Sequence, residues 1–325
     1  MDKLSMIFAD VADALGIGAT SIVEKDYYVI ELLRLLQPLI FETHQLVFAG
    51  GTSLAKSGIK LNRMSEDVDI KLIPNPDFLD DTHFSRSQRK NTRKEIIEKI
   101  SDIIIASELF KFDKSYPRIA RDEYRYNDIQ IQYPQEFTQV PCLRPFIKLE
   151  LMESDLLEPA ELRNISSFVY ELAGKGSEIS AFPCTTIIST QAEKIVAMMR
   201  RTAAFMRNVD RKDDESLVRH IYDNYRIADA LGLNICQLSV FVQQTIQLDI
   251  ERYGCQHPQL KANAIDELKT GLDEIGSNPY FKERYGQFVV PMVFENSRVK
   301  WEEVYHCFRQ TALETLKCLD GSLTK

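Results

Sequence analysis

Two short segments constrain this chain more than anything else in it: Val47-Phe48-Ala49-Gly50-Gly51-Thr52-Ser53-Leu54 and Arg63-Met64-Ser65-Glu66-Asp67-Val68-Asp69-Ile70. Residues 45–49 are an apolar run that stops at Gly50-Gly51, which predicts a buried strand entering a tight turn. With no side chain at either glycine, an anion such as a triphosphate can approach the backbone N–H groups. The following residues predict a short helix whose N-terminus favours anions. Thr52 and Ser53 add hydroxyl donors. Residues 67–73 alternate polar and apolar, so a strand there turns Asp67 and Asp69 to one face and Val68 and Ile70 to the other.

Two carboxylates aimed at one spot repel unless a cation joins them. Hard oxygen ligands of this kind suit Mg²⁺ held together with substrate phosphates. Two ions about 4 Å apart would clamp the attacking and leaving oxygens of a phosphoryl-type displacement, the arrangement nucleotidyl transfer needs. A third acid is expected, and the alternation in Phe146-Ile147-Lys148-Leu149-Glu150-Leu151 offers Glu150, turned with Lys148 away from the buried face. The predicted metal ligands are therefore Asp67, Asp69 and Glu150. An Asp-x-Asp pair alone is a weak signal, because such pairs are common and usually solvated. Gly-Gly-Thr after a strand, followed by Ser65-x-Asp67-x-Asp69, is much more specific.

Around these segments, Ser21-x-x-Glu24 predicts a capping box opening a helix to Leu36, ahead of Pro38. Strands are expected near 67–73, 129–133, 146–152 and 165–172, with a helix over 85–108. Beyond Thr190 the pattern turns helical, over 190–207, 215–231, 235–251, 263–275 and 299–318. The fold expected is α+β: a mixed β-sheet core flanked by helices over 1–185, then a helical C-terminal part over 186–325.

The two opening segments resemble the nucleotidyltransferase motif of the polymerase-beta-like superfamily, specifically the AbiEii/AbiGii toxin family. Glu24-Lys25-Asp26-Tyr27-Tyr28, Lys148-Leu149-Glu150, Glu193-Lys194-Ile195 and Tyr222-Asp223 resemble that family too, so the likeness spans roughly residues 24–225. It implies a nucleotidyltransferase core with a helical lobe closing over the nucleotide, and a toxin paired with a separately encoded antitoxin in a toxin–antitoxin or phage-defence system. It also implies a tRNA 3′ end as acceptor of a nucleoside monophosphate from an NTP, with transfer to a protein or small molecule, or a non-catalytic nucleotide-binding module, as alternatives.

Thr190-x-x-Glu193 predicts a second capping box. Lys194 and Arg201, seven apart on one helical face, would offer cations to a triphosphate. The resemblance carries Lys194 to an NTP-contacting position and gives Asp223 a functional role, pairing with Lys194 or acting on the nucleophile. His220 stands where the family usually has an acid, which leaves position 220 without a carried-over role. The nucleotide-binding set is thus Gly50, Gly51, Thr52, Ser53, Ser65, Lys194 and Arg201. The catalytic set is Asp67, Asp69, Glu150, Lys194 and Asp223.

A formal net charge of −8 over 325 residues argues against a protein coated in nucleic acid, so an RNA acceptor must meet a local patch. The candidates are Arg86, Arg89, Lys90, Arg93 and Lys94, then Arg200, Arg201, Arg207, Arg211 and Lys212, with Tyr124 and Tyr126 beside Arg121 and Arg125 for base stacking. Solvated helix faces explain such runs equally well. The six cysteines are scattered and contain no CxxC pair, so buried reduced thiols are expected rather than a zinc site or disulfides. The first residues lack the apolar core of a signal peptide, and no run nears the roughly 20 apolar residues of a membrane span. A cytoplasmic protein without a membrane partner is expected.

Overall fold

The computed structural model describes residues 3–113, 115–140, 142–208 and 213–322. Contacts divide the chain into two compact units, the first comprising 1–58, 63–186 and 294–296 and the second comprising 59–62, 187–293 and 297–325.

The first unit contains α1 (Lys3–Leu15), α2 (Thr20–Leu36), β1 (His44–Ala49), α3 (Gly50–Ala55), β2 (Asp67–Pro74), α4 (Pro76–Leu79) and α5 (Arg86–Ala106). It continues with β3 (Lys111–Phe112), β4 (Ile119–Arg121), β5 (Tyr126–Gln132), β6 (Ile147–Glu153), β7 (Glu161–Ile165), α6 (Phe168–Ala173) and β8 (Ile179–Cys184). The strands form one mixed sheet in the order β3-β5-β6-β2-β1-β8-β7, with β4 also on β5. β2 runs antiparallel to β1 and parallel to β6, and β5 antiparallel to β6.

Alternation decides the two faces of this sheet. Val68, Ile70 and Leu72 of β2, Leu149 and Leu151 of β6 and Ile129 and Ile131 of β5 pack in one apolar cluster with Val29 and Leu33 of α2 and Ile97 and Ile100 of α5. The residues between them, Asp67, Asp69, Lys148, Glu150, Tyr126 and Asp128, are thereby turned to the other face and remain half-buried.

The second unit is helical: α7 (Ile187–Arg207), α8 (Arg219–Leu231), α9 (Ile235–Tyr253), α10 (Pro258–Ala262), α11 (Ala264–Ser277), α12 (Pro279–Phe288) and α13 (Trp301–Ser322). α7 is its spine, packed by α8, α9 and α11. It approaches α11 so closely that a Cβ at Gly271 would lie 2.0 Å from the Met199 carbonyl oxygen. Among the described residues no single helix is long and apolar enough to cross a membrane.

Three local expectations are corrected. α2 begins at Thr20 behind Ala19, without a side-chain cap, so Ser21 and Glu24 form no capping box; Glu24 instead accepts the backbone N–H of Glu136 at 2.7 Å. α7 begins at Ile187, placing Thr190 inside the helix rather than at its cap. The strand expected over 165–172 is only the end of β7, because the Ser167 hydroxyl accepts the Tyr170 N–H and starts α6. A true capping box joins Ser85 and Gln88 at the head of α5.

Candidate active site

The Gly50 turn joins β1 to α3, and β2 returns beside β1 with Ala49 opposite Asp69. Gly50 has φ +73°, and a Cβ there would lie 1.8 Å from Asp69 Oδ2, so the backbone and this carboxylate meet only because the residue is glycine. The Thr52 hydroxyl bonds the Asp67 carbonyl and contacts the Ser65 hydroxyl at 3.0 Å. Thr52, Ser53 and Ser65 are buried, and Thr52 braces the turn against β2 through Ser65 and the Asp67 carbonyl.

In register across three strands stand Asp69 of β2, Glu150 of β6 and Asp128 of β5, while Asp67 stands beside Lys148 and Lys148 beside Gln130. Asp128 is a fourth acid that the sequence reading missed, although the alternation of 126–132 puts it on the Glu150 face. Asp67, Glu150 and Asp128 each have a basic or hydroxyl partner. Arg144 forks onto Asp67, with Nη1 and Nη2 at 2.6 and 3.3 Å from the two oxygens. Lys148 pairs closely with Glu150 and lies 3.6 Å from Asp128. The Tyr126 hydroxyl donates to Glu150 at 3.1 Å. Burial lowers the Lys148 pKa, but Glu150 and Asp128 outweigh it and hold the ammonium charged. Burial and then the Glu150 charge push the Tyr126 phenol upward, keeping it a neutral donor. No three His, Cys, Asp or Glu side chains among the described residues converge as a metal-ligand set. The donors are still all hard oxygens beside a turn cleared of side chains, the chemistry that suits Mg²⁺ with phosphate.

Behind this face lies an ion pair also missed from sequence. Lys25 and Glu66 meet at 2.7 Å with side-chain exposures of 0% and 1%. Burial lowers the Lys25 pKa and Glu66 opposes that shift. Both charges hold the backbone of Arg144: Glu66 accepts its N–H at 2.9 Å and Lys25 donates to its carbonyl at 2.8 Å. Asp26, next in sequence, pairs with Lys56 at 2.8 Å and accepts the Phe168 N–H at 2.8 Å. The family-like Glu24-Lys25-Asp26 run therefore fastens three separate loops to α2.

In the second unit Lys194 of α7 meets Asp223 of α8 at 2.9 Å, and Arg201 meets Asp214 at 3.0 Å. Burial, then the Lys194 charge, pushes His220 well below its ordinary pKa, so the ring is neutral near pH 7. Burial raises the Asp214 pKa, but Arg201 and the Ser216 hydroxyl bring it down to about 2.

The basic runs are largely neutralised. Arg86 pairs with Glu123, Arg89 with Asp81, Arg93 with Glu153 and Lys94 with Glu98. Arg200 pairs with Asp249 and Arg207 with Glu267. Arg211 and Lys212 lie outside the described residues. Tyr126 is committed to Glu150 and Arg125 to Glu153.

A family model described as nucleotidyl transferase AbiEii toxin, type IV TA system, matches residues 34–306. Among solved structures the chain is similar to MenT4, a nucleotidyltransferase toxin from Mycobacterium tuberculosis, at 18% identity and TM-score 0.51, covering 96% of this chain and 98% of that one. It is also similar to JHP933 from Helicobacter pylori, at 13% identity and TM-score 0.42, covering 93% of this chain and 96% of that one. The MenT4 likeness concerns the fold. No curated protein matches the sequence.

Proposed function

The chain belongs to the AbiEii nucleotidyl transferase toxin family of type IV toxin–antitoxin systems, and from that premise we propose that it transfers a nucleoside monophosphate from an NTP to the 3′ end of a tRNA, releasing pyrophosphate. The observation that carries the site assignment is the Asp69–Glu150 register beside the side-chain-free Gly50 turn. Asp67, Asp69 and Glu150 would hold Mg²⁺, two ions in the full reaction, which supply charge neutralisation on the phosphates. The chain's own groups do the rest. Gly50 and Gly51 give backbone N–H donors to the triphosphate, framed by Thr52, Ser53 and Ser65. Glu150, oriented by the Tyr126 hydroxyl, takes the proton of the acceptor hydroxyl. Lys194 and Arg201 contribute positive charge toward the leaving pyrophosphate, and Asp223 orients Lys194. A cognate antitoxin is the partner expected of a type IV system.

The test is incubation of the protein with each labelled NTP, total RNA and a cell extract. Label in the tRNA band, lost with Asp69→Ala, is the expected result. Label in protein or a small molecule overturns the tRNA acceptor, and no transfer to any acceptor overturns the enzymatic reading of this site.

A further inference from the structure

Arg144 is an odd residue to find on Asp67. Both Asp67 oxygens lie within 3.3 Å of its guanidinium, so any cation that takes this carboxylate through both oxygens displaces the fork. Here the backbone is what is fixed, by both members of the buried Lys25–Glu66 pair, while the side chain is 28% exposed. A fixed root with a half-exposed charged end is the construction of a side chain that changes partners.

We propose that Arg144 is a nucleotide-binding residue kept on Asp67 as a resident counter-cation, which passes to the phosphates of the incoming NTP when a divalent metal takes the carboxylate. The inference rests on the nucleotidyltransferase reading of the Asp67–Asp69 face. The planar fork of arginine fits a phosphate as well as a carboxylate, whereas an ammonium fits neither in the same bidentate way. Glu66 also lies in reach of the displaced guanidinium, with Oε1 3.5 Å from Nε. Glu66 already accepts from Lys25 and from the Arg144 N–H, so the phosphates are the stronger destination. The exchange also keeps Asp67 from standing beside Asp69 without a cation when substrate is absent.

Two binding constants with opposite expected responses test this. Mn²⁺ is titrated into the full chain without nucleotide, and the α,β-methylene analogue of each NTP is titrated at saturating Mn²⁺. In Arg144→Gln, Mn²⁺ alone should bind about tenfold tighter, because the competing cation is gone, while the analogue should bind about tenfold weaker or worse. Arg144→Lys, which keeps charge without the fork, should fall between the wild type and Gln in both assays. A residue needed only for the fold would weaken both constants together. The backbone bonds to Lys25 and Glu66 survive either substitution, and an unchanged thermal midpoint checks it.

If Arg144→Gln leaves Mn²⁺ binding no tighter, the counter-cation role is overturned. If Mn²⁺ tightens and the analogue is unaffected, the guanidinium retreats to Glu66 and the nucleotide role is overturned. If the wild-type protein binds neither probe, the nucleotidyltransferase reading of this face falls as well.

Discussion

Strand β6 carries two acids three residues apart on opposite faces, and their surroundings differ in kind. Glu153, on the core face, is enclosed by Arg93 at 2.5 and 2.9 Å, His44 at 3.1 Å and Arg125 at 3.1 Å, with an exposure of 8%. Burial raises its pKa, but the His44 and Arg93 hydrogen bonds overcome that and bring it down to about 2. Glu150, on the other face, is 28% exposed and held by one lysine and one phenol. A closed, multiply bonded carboxylate fastens β6 to α5 and β1. Glu150, beside Asp69, is only half-enclosed by its two partners. The difference teaches that the number and burial of basic partners, rather than the mere presence of an ion pair, separates a structural clasp from a carboxylate left open to solvent.

The largest effect should come from the open face. Asp69→Ala removes a half-buried carboxylate of the open face, so transfer activity should fall about 10⁴-fold with a much smaller change in the thermal midpoint. Retained transfer in a labelled-NTP assay would put Asp69 on the Glu153 side of the comparison. Glu153→Gln should do the reverse. It leaves the Arg93 guanidinium, 2% exposed, without its charge partner, at a cost of about 3–4 kcal/mol in urea unfolding, while folded molecules keep their activity.

The same clasp sets a pH dependence. The folded pKa of Glu153 is depressed from 4.5 to about 2, so its stabilisation is complete above the unfolded value and is lost as the pH falls from about 4.5 toward 2. Unfolding free energies measured through that window should decline more steeply in the wild type than in Glu153→Gln. Parallel declines would mean that Glu153 is not the clasp described.

The open face was more legible from sequence than the clasp. The alternation of 67–73 and 146–152 and the Gly50-Gly51 stop are local signals, so the acids and the turn could be placed on their strands without tertiary knowledge. Arg144, Lys25 and Glu66 carry no local signal, because their meaning arises from pairs 41 and 78 residues apart in sequence. Asp128 had a signal in its strand's period, but nothing that paired β5 with β6. The Arg86–Lys94 run read as a basic patch because sequence shows charges and not their partners. The two capping-box patterns failed for a related reason: side chains that could cap were drawn elsewhere, Glu24 to the 136–137 loop and Thr190 into the body of α7.

The Gly50 turn tests how tightly the open face is built. Gly50→Ala adds a Cβ that must push Asp69 aside and a side chain at a positive φ, so activity should drop about 10²-fold, with a stability loss near 1 kcal/mol. A loss confined to stability would show that Asp69 moves freely and that the turn does not position it.

The finest test uses sequence neighbours that serve the two acids. Tyr126 donates to Glu150 and Arg125 to Glu153, each at 3.1 Å. Tyr126→Phe removes one hydrogen bond to a half-exposed carboxylate, worth about 1.5 kcal/mol, so transfer should slow roughly tenfold with little change in stability. Arg125 is 46% exposed, and Glu153 keeps Arg93 and His44 without it, so Arg125→Gln should cost at most about 0.5 kcal/mol of stability and leave transfer alone. Equal, small effects of both substitutions on stability alone would erase the functional distinction between the two faces of β6. A slowed reaction in Tyr126→Phe only would locate that distinction at a single hydroxyl.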